Sequence, residues 1–227
     1  MISVCMPYWN RPRELTRSMN AYAKAYPDWN LEFSICDDGS FTPLEFPGAV
    51  ITRLPQHSRA LNPCVPINAA VRASSSAVIV ITNPEVEHRE PVLQQMLAML
   101  EGPNDYVTVA CKEATTGEWI AGPNAPKAPV GGRRPIPEGS DLHFCAMMYR
   151  ELFDRVGGFD EEYRFGLGCE DNDWLWTLHE AGVNFKRAPG TVWHYRTPHR
   201  AWKGTVETNS AILERKFGHL EKFKCAS

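Results

Sequence analysis

An unbroken apolar run lies near the middle of the chain, where residues 77–82 have the sequence Ala-Val-Ile-Val-Ile-Thr. Continuous apolar strands are typical of a parallel sheet that is covered by helices on both faces. The run is short enough to be a strand and is rich in β-branched residues, which favour extended backbone. It therefore predicts a buried central strand in an α/β fold.

Strand-like and helix-like segments alternate around this run. Before it, the pattern predicts strands at 2–6, 31–36 and 49–53 and helices at 13–25 and 66–73. After it, the pattern predicts a helix at 91–100, with proline in its first turn, and a strand at 106–110. Up to about residue 112 this order is that of a nucleotide-binding α/β half.

The second half of the chain has a different character. Residues 115–141 carry Gly, Pro and charged residues with little periodicity, which is usual for a functional lid or a disordered loop. The elements predicted after it are a strand at 144–149, helices at 150–156 and 171–181, strands at 183–187 and 190–194, and a helix at 208–217. Because there is no internal repeat and no clear linker, we expect one domain over residues 1–227.

The composition narrows the classes of function. The net charge is -3, so no overall basic field favours nucleic acid or an anionic membrane. The seven cysteines are scattered and form no Cys-x-x-Cys pair, which argues against a disulfide framework and a zinc site. No apolar run is long enough to span a membrane, and no basic leader precedes the first strand. We expect a cytoplasmic protein with reduced thiols.

Two adjacent carboxylates follow the second predicted strand, in the sequence Cys36-Asp-Asp-Gly-Ser40. In an open parallel sheet, ligands bind outside the carboxyl ends of the strands, so acids at this point face a crevice. An ordinary Asp-Gly turn explains the same residues. The pattern alone leaves both interpretations open.

Four motifs follow one another along the chain. They are Ser3-Val-Cys-Met-Pro-Tyr-Trp-Asn-Arg-Pro12, Cys36-Asp-Asp-Gly-Ser40, Gly157-Gly-Phe-Asp-Glu161 and Cys169-Glu-Asp-Asn-Asp173. In this combination the sequence resembles the family-two glycosyltransferases of the GT-A fold, over roughly residues 2–200. The resemblance implies an α/β fold with a mostly parallel nucleotide-binding sheet flanked by helices. It divides the chain into a nucleotide-sugar half (1–112), an acceptor-binding and catalytic half (113–205) and a C-terminal helix (206–227).

The resemblance implies a donor site. In such enzymes the first turn and the acid after the second strand hold the nucleobase and ribose. Here that role falls on Pro7, Tyr8, Asn10, Arg11, Asp37 and Asp38, with Arg59 and Asn62 as further contacts to the base or diphosphate. A carboxylate accepts a hydrogen bond from a base N–H, and the ring of Tyr8 suits stacking. The alternative for Tyr8 and Trp9 is packing of a loop over the sheet.

The resemblance also implies a metal ion, Mn2+ or Mg2+. Family members carry Asp-x-Asp after the central strand, whereas this chain departs from that pattern with Asn83-Pro-Glu85. Glu85 supplies a carboxylate ligand, and Asn83 retains a contact to a ribose hydroxyl or to a metal-bound water. His194 is the expected imidazole ligand, and His199 is the alternative candidate for that role. The competing interpretation is that Glu85 and Glu87 are solvated acids before a helix.

The acidic pair Glu170 and Asp171 supplies the candidate catalytic residues. In the enzymes that the chain resembles, the acid at the start of this helix takes the proton from the attacking hydroxyl. That role falls on Asp171, while Glu170 holds the acceptor, and the positive end of the helix keeps Asp171 ionised. A plain acidic cluster at a helix N-terminus is the alternative. In-line attack with a carboxylate base predicts inversion at the anomeric carbon, although related folds retain its configuration.

Together these residues predict a metal-dependent glycosyltransferase that moves a sugar from a nucleoside-diphosphate donor, expected to be a UDP-sugar, to an acceptor hydroxyl. The predicted acceptor is a glycan or, less favoured by the net charge, a hydroxylated DNA base. The cations that would contact phosphate in the second case are Arg133, Arg134, Arg196, Arg200 and Lys203.

Two other classes of function stay open. A noncatalytic sugar-nucleotide-binding module is one, because Asn83 replaces an acid of the resembled pattern. A nucleotidyltransferase is the other. It has less support, because the turn after the first strand is not a Gly-rich phosphate loop.

Overall fold

The described part of the chain folds around one sheet of nine strands, with helices packed on both faces. The computed structural model describes residues 1–55, 62–124, 136–196 and 205–219. The strands are β1 (Ile2–Tyr8), β2 (Leu31–Asp37), β3 (Ala49–Arg53), β4 (Val78–Thr82), β5 (Val86–His88), β6 (Asp105–Glu113), β7 (Trp119–Ala121), β8 (Cys145–Tyr149) and β9 (Asn184–His194). The helices are α1 (Pro12–Ala25), α2 (Cys64–Ala73), α3 (Val92–Met99), α4 (Arg150–Val156), α5 (Glu170–Glu180) and α6 (Thr205–Phe217). A short 3-10 helix, Glu161–Phe165, lies between α4 and α5.

The first part of the sheet is parallel. β2 lies between β3 and β1, and β4 lies on the other side of β1. In this register Tyr8 pairs with Asp37 at the carboxyl ends of β1 and β2. The turns that follow these strands therefore lie side by side, at the edge where open parallel sheets bind ligands.

Beyond β4 the sheet is mixed. β8 runs antiparallel between β4 and β6, and β9 runs parallel to β6. The short strands β5 and β7 pair antiparallel with β9 and β6. Val86 of β5 pairs with His194 at the end of β9, so the segment that leaves β4 comes to lie against the end of β9.

Both faces of β4 are buried, as its apolar run predicts. Ile79 and Ile81 belong to a core that includes α2, α5 and α6, whereas Val80 belongs to a second core that includes α1 and α3. None of these three side chains is exposed to solvent. Burying such a side chain contributes about 2 kcal/mol relative to leaving it in water. The central strand therefore joins the two helical layers.

Several elements differ from the predicted ones. The closing strands predicted at 183–187 and 190–194 are one strand, β9, which continues through a register shift in its pairing with β6. The pattern does not predict β5 or β7, because three residues are too few to show a period, and it does not predict the 3-10 helix. β7 occupies part of the loop predicted at 115–141.

Within the described ranges, no helix combines the length and the apolar character that crossing a bilayer requires.

Candidate active site

A cavity of about 260 Å3 lies at the carboxyl ends of β1, β2 and β4. Its walls come from the turns after these strands, the start of α2, the start of α5 and the end of β9. The lining residues are Pro7, Tyr8, Trp9, Arg11, Asp38, Asn62, Pro63, Pro66, Asn83, Pro84, Glu85, Leu167, Gly168, Glu170 and His194. The cavity thus joins segments that are far apart in the sequence.

Asn10 fixes the turn that follows β1. Its backbone has a φ of 49°, in the left-handed region that Asn adopts more readily than most residues. Its N–H donates to Oγ of Ser40 at 2.9 Å, and its Oδ1 accepts from the N–H of Phe41 at 2.9 Å. Asn10 therefore ties this turn to the turn after β2, while its neighbours Tyr8 and Arg11 line the cavity.

The two adjacent acids after β2 have different surroundings. Asp37 is fully buried, and its carboxylate accepts from the N–H of Ser40 at 2.9 Å, from the N–H of Leu44 at 3.0 Å and from Arg53. Burial by itself raises the pKa of Asp37, but these hydrogen bonds and the Arg53 charge outweigh it, so the pKa is lowered. Asp37 therefore holds the turn together, and Asp38 is the acid that lines the cavity.

Glu85 and Arg11 form an ion pair in the cavity wall. Arg11 Nε lies 2.8 Å from Glu85 Oε1, and both side chains are largely buried. Burial raises the pKa of Glu85, and the Arg11 charge opposes that rise. The fold thus holds a carboxylate at this position with a cation beside it.

The pairing of β5 with β9 brings His194 next to Glu85. Val86 pairs with His194, and the N–H of Tyr195 donates to the carbonyl of Glu85 at 3.0 Å. The ring of Phe144 meets the imidazole edge-on, with the ring centroids 5.1 Å apart. Glu85 and His194 both line the cavity.

This donor set fits a divalent cation in part. A carboxylate suits Mg2+ or Mn2+, and a neighbouring imidazole is a further nitrogen ligand. Such ions often complete their shells with phosphate oxygens and water. The described ranges contain no cluster of three or more His, Cys, Asp or Glu side chains that could hold a metal. Glu85 and His194 therefore offer two possible ligands for a divalent cation, which would need further ligands from water or a bound molecule.

Glu170 is the first residue of α5 and lies in the cavity wall. Its side chain is 7% exposed, and Oε2 accepts a hydrogen bond from Nδ2 of Asn62 at 2.7 Å. Burial raises the pKa of Glu170, and the charge of the adjacent Asp171 adds to the rise. These effects favour the protonated form of Glu170.

The turn before α5 is held from behind by α6. Cys169 has a φ of 70°, which is uncommon for a residue with a side chain. Asn209 of α6 is fully buried, and its Nδ2 donates to the carbonyl of Gly168 at 2.7 Å and to that of Tyr163 at 3.0 Å. α6 therefore fixes the backbone that presents Glu170 to the cavity.

Asp171 follows Glu170 on α5 and lies beside the cavity lining. Its side chain is 34% exposed, and Oδ1 lies 3.2 Å from Nε2 of His143. Desolvation by the surrounding protein raises the pKa of the Asp171 carboxyl. Asp171 thus combines access from solvent with an elevated proton affinity.

The structure brings most of the predicted site residues together. Those in the cavity lining are Pro7, Tyr8, Arg11, Asp38, Asn62, Asn83, Glu85, Glu170 and His194. Asn10 and Asp37 support the turns around it, and Arg196 is exposed after β9. The predicted residues that lie outside the described ranges are Arg59, Arg133, Arg134, His199, Arg200 and Lys203.

The sequence pattern misses two kinds of residue at this site. Pro66 and Leu167 line the cavity as apolar wall, a role that no motif marks. His143 contacts Asp171, but a lone histidine between a loop and a strand carries no signal in the sequence. Glu85 and Glu87 look alike in the sequence but have different surroundings in the structure. Glu85 lines the cavity, whereas Glu87 accepts hydrogen bonds from Arg89 and Tyr195.

Comparison with known proteins gives one sequence match and many structural ones. Residues 145–200, about a quarter of the chain, match the family model described as the N-terminal domain of galactosyltransferase. This stretch includes β8, α4, α5 and β9. No curated protein matches the chain in sequence.

Three of the similar solved structures illustrate the fold. GalNAc-T7, solved with UDP, GalNAc and Mn2+, has a TM-score of 0.70 at 13% identity, over 94% of this chain and 48% of its own. TarS 1-349 from S. aureus, solved with UDP-GlcNAc, has a TM-score of 0.63 at 15% identity. The match covers 88% of this chain and 59% of TarS 1-349. The mannosyltransferase PcManGT from Pyrobaculum calidifontis, solved with GDP-Man and Mn2+, has a TM-score of 0.59 at 17% identity. The match covers 90% of this chain and 58% of PcManGT.

At these identities the likeness concerns the fold. The chain has the α/β fold of the GT-A glycosyltransferases, so the predicted fold class and the resemblance to that class of enzymes are confirmed. The chain spans about half to three fifths of the length of these three proteins.

Proposed function

We propose that the chain is a glycosyltransferase that moves a sugar from a nucleoside-diphosphate donor to an acceptor hydroxyl. One observation carries the proposal: the cavity at the carboxyl ends of the parallel strands collects an aromatic ring, carboxylates, an arginine and a histidine from separate segments. These are the groups needed to hold a base, a ribose and a diphosphate. The similar structures that contain UDP, a UDP-sugar or a GDP-sugar lend further support.

The nucleotide is assigned to the walls formed by the turns after β1 and β2. Tyr8 presents a ring for stacking, and Asp38 presents a carboxylate that accepts from a base N–H. Arg11 supplies positive charge for the diphosphate. We assign uridine as the base, because two of the three similar structures described above hold UDP or a UDP-sugar.

Glu85 and His194 are the residues that would hold Mn2+ or Mg2+, with Asn83 beside them. The ion supplies positive charge that stabilises the departing diphosphate. When no ion is bound, Arg11 compensates the charge of Glu85, and both residues line the same cavity. Diphosphate binding therefore draws on both the arginine and the carboxylate–imidazole pair.

Asp171 is assigned as the base, and Glu170 as the residue that holds the acceptor. Because burial favours the protonated form of Glu170, this carboxyl is poorly suited to take another proton. Asp171 is accessible, and its carboxylate takes the proton of the acceptor hydroxyl as the hydroxyl oxygen attacks the anomeric carbon. The bond to the diphosphate breaks on the opposite side, so the configuration inverts.

The two halves of the chain divide these tasks in the proposal. Residues 1–112 supply the donor walls, residues 113–205 supply Glu170, Asp171 and His194, and residues 206–227 include most of α6, which supports the turn before α5. A glycan is the preferred acceptor. A hydroxylated DNA base is less favoured, because the net charge of -3 gives no overall attraction to nucleic acid.

A donor screen tests this function. Calorimetry with UDP-, GDP-, CMP- and dTDP-sugars, with and without Mn2+, should show tight binding of one donor that depends on the metal and is lost in Glu85→Ala and His194→Ala. Failure of every donor to bind would overturn the proposal.

A second candidate, a noncatalytic binding module, is favoured by Asn83 at the place of an acid and by the pairing of Glu85 with Arg11. A bound UDP-sugar that stays intact with Mn2+ over many hours would select this candidate. Release of UDP would exclude it.

A further inference from the structure

His143 lies in the segment that leads into β8 and directs a ring nitrogen at Asp171. Its side chain is 4% exposed, and Nε2 lies 3.2 Å from Asp171 Oδ1. This contact joins a buried ring to an accessible carboxylate. The other ring nitrogen, Nδ1, is buried and has no hydrogen-bond partner among the described residues.

Aromatic packing holds the imidazole in this orientation. The ring of Phe159 meets it edge-on, with centroids 5.0 Å apart. Phe159 in turn stacks on Trp174 at 4.6 Å with an interplanar angle of 15°. Trp174 lies three residues after Asp171 on α5, so the same helical face carries both the carboxylate and the indole that supports the imidazole.

The protonation state follows from the surroundings. Burial lowers the pKa of His143 to about 4, so the ring is neutral near pH 7. An ionised carboxylate only accepts hydrogen bonds, so Nε2 must carry the proton of the neutral ring. The nearby Asp141 is paired with Arg187 of β9 and not with the histidine. His143 therefore presents a neutral ring beside Asp171, with Nε2 lying 3.2 Å from Oδ1.

We propose that His143 is a positioning residue for Asp171, on the premise of the glycosyltransferase function proposed above. In this role the Nε2–H, whose nitrogen lies 3.2 Å from Oδ1, steadies the carboxylate in one orientation through its partial positive charge and leaves Oδ2 to meet the acceptor hydroxyl. During transfer the acceptor proton moves to Asp171, the new glycosidic bond forms and the bond to the diphosphate breaks. His143 keeps its own proton throughout.

Two substitutions separate positioning from packing. His143→Gln keeps an N–H donor at a similar reach, whereas His143→Leu fills the space without a donor. We expect His143→Leu to lower kcat for sugar transfer by about 10- to 100-fold, with the KM for the donor nearly unchanged. We expect His143→Gln to stay within about fivefold of the unsubstituted chain. Equal kcat values for His143→Leu and the unsubstituted chain would overturn the proposal, and so would equal losses in both variants when both are folded.

A measurement without turnover separates this inference from the proposed function. Carbon NMR of the aspartate carboxyl groups follows the titration of Asp171, assigned by its loss in Asp171→Asn. We expect the apparent pKa of Asp171 to rise in His143→Leu and to stay near its original value in His143→Gln, because the donor stabilises the ionised form. An unchanged pKa in His143→Leu would overturn the contact itself. A shifted pKa in a chain that transfers no sugar would confirm the contact and contradict the function.

Discussion

Arg11 Nε lies 2.8 Å from Glu85 Oε1, so the carboxylate predicted to bind a metal is already paired with a cation from the turn after β1. The pair joins the first motif of the chain to the segment after β4. It explains how a largely buried carboxylate is tolerated without a metal, because an unpaired buried charge is costly. The same pair places the Arg11 guanidinium in the cavity wall.

The first prediction concerns Glu85. Glu85→Gln keeps the shape of the side chain and removes its charge, so Mn2+-dependent binding of a UDP-sugar should weaken by about tenfold or more. Glu87→Gln is the matched control, because Glu87 pairs with Trp193 of β9 in register and bonds Arg89 and Tyr195 away from the cavity lining. Calorimetry at fixed Mn2+ measures both. Equal weakening in the two variants would contradict the assignment of Glu85.

The second prediction concerns Asp37. Asp37→Asn loses the charge that binds Arg53, so the free energy of unfolding near pH 7 should fall by about 2 kcal/mol. Because the folded-state pKa of Asp37 is lowered, its stabilising contribution is present above the ordinary value of 3.8 and is lost as the pH falls below it. The difference in free energy of unfolding between the unsubstituted chain and Asp37→Asn should therefore become smaller as the pH is lowered. Urea unfolding at several pH values measures it, with the exposed Asp28→Asn as the control.

The third prediction concerns Asn209, which holds the turn before α5. Asn209→Ala removes the hydrogen bonds to the carbonyls of Gly168 and Tyr163 and should lower the free energy of unfolding by about 2 kcal/mol. Because this turn presents Glu170, sugar transfer should also slow. Asn20→Ala, at an exposed position of α1, should change neither quantity. A stable and fully active Asn209→Ala would show that the turn does not depend on α6.

The fourth prediction concerns pH. Burial raises the pKa of Asp171 above the ordinary value of 3.8, and the base must be ionised to accept a proton. The rate of transfer should therefore fall as the pH is lowered through this raised pKa, at a higher pH than for an exposed aspartate. Initial rates over about pH 5 to 8 measure the profile. A rate that stays constant down to the ordinary pKa would contradict an elevated pKa at the base.

The fold could be predicted from the sequence where a segment has a clear apolar pattern. The strand at 49–53 and the helix at 150–156 have the predicted bounds, and β4 is buried on both faces as its apolar run indicates. β5 could not be predicted, because three residues carry no period and its pairing with β9 depends on contacts far apart in sequence. That pairing is what brings His194 to Glu85.

Many of the residues that line the cavity could be named from the sequence, but the surroundings of each could not. Asp37 and Asp38 are adjacent residues of the same type. Asp37 accepts hydrogen bonds from the backbone of its own turn, whereas Asp38 lines the cavity. Glu170 and Asp171 are likewise neighbours, and only the packing of α5 decides which carboxyl is buried against Asn62 and which meets His143. Such differences arise from tertiary contacts, which a motif does not contain.

The central claim is that Asp171 accepts the proton of the acceptor, and Asp171→Asn tests it most directly. The measurement pairs the release of UDP from a UDP-sugar in the presence of Mn2+ and acceptor with calorimetric binding of the same donor. We predict that Asp171→Asn binds the donor as the unsubstituted chain does and releases UDP about 100- to 10,000-fold more slowly. Release of UDP by Asp171→Asn at the rate of the unsubstituted chain would contradict the account.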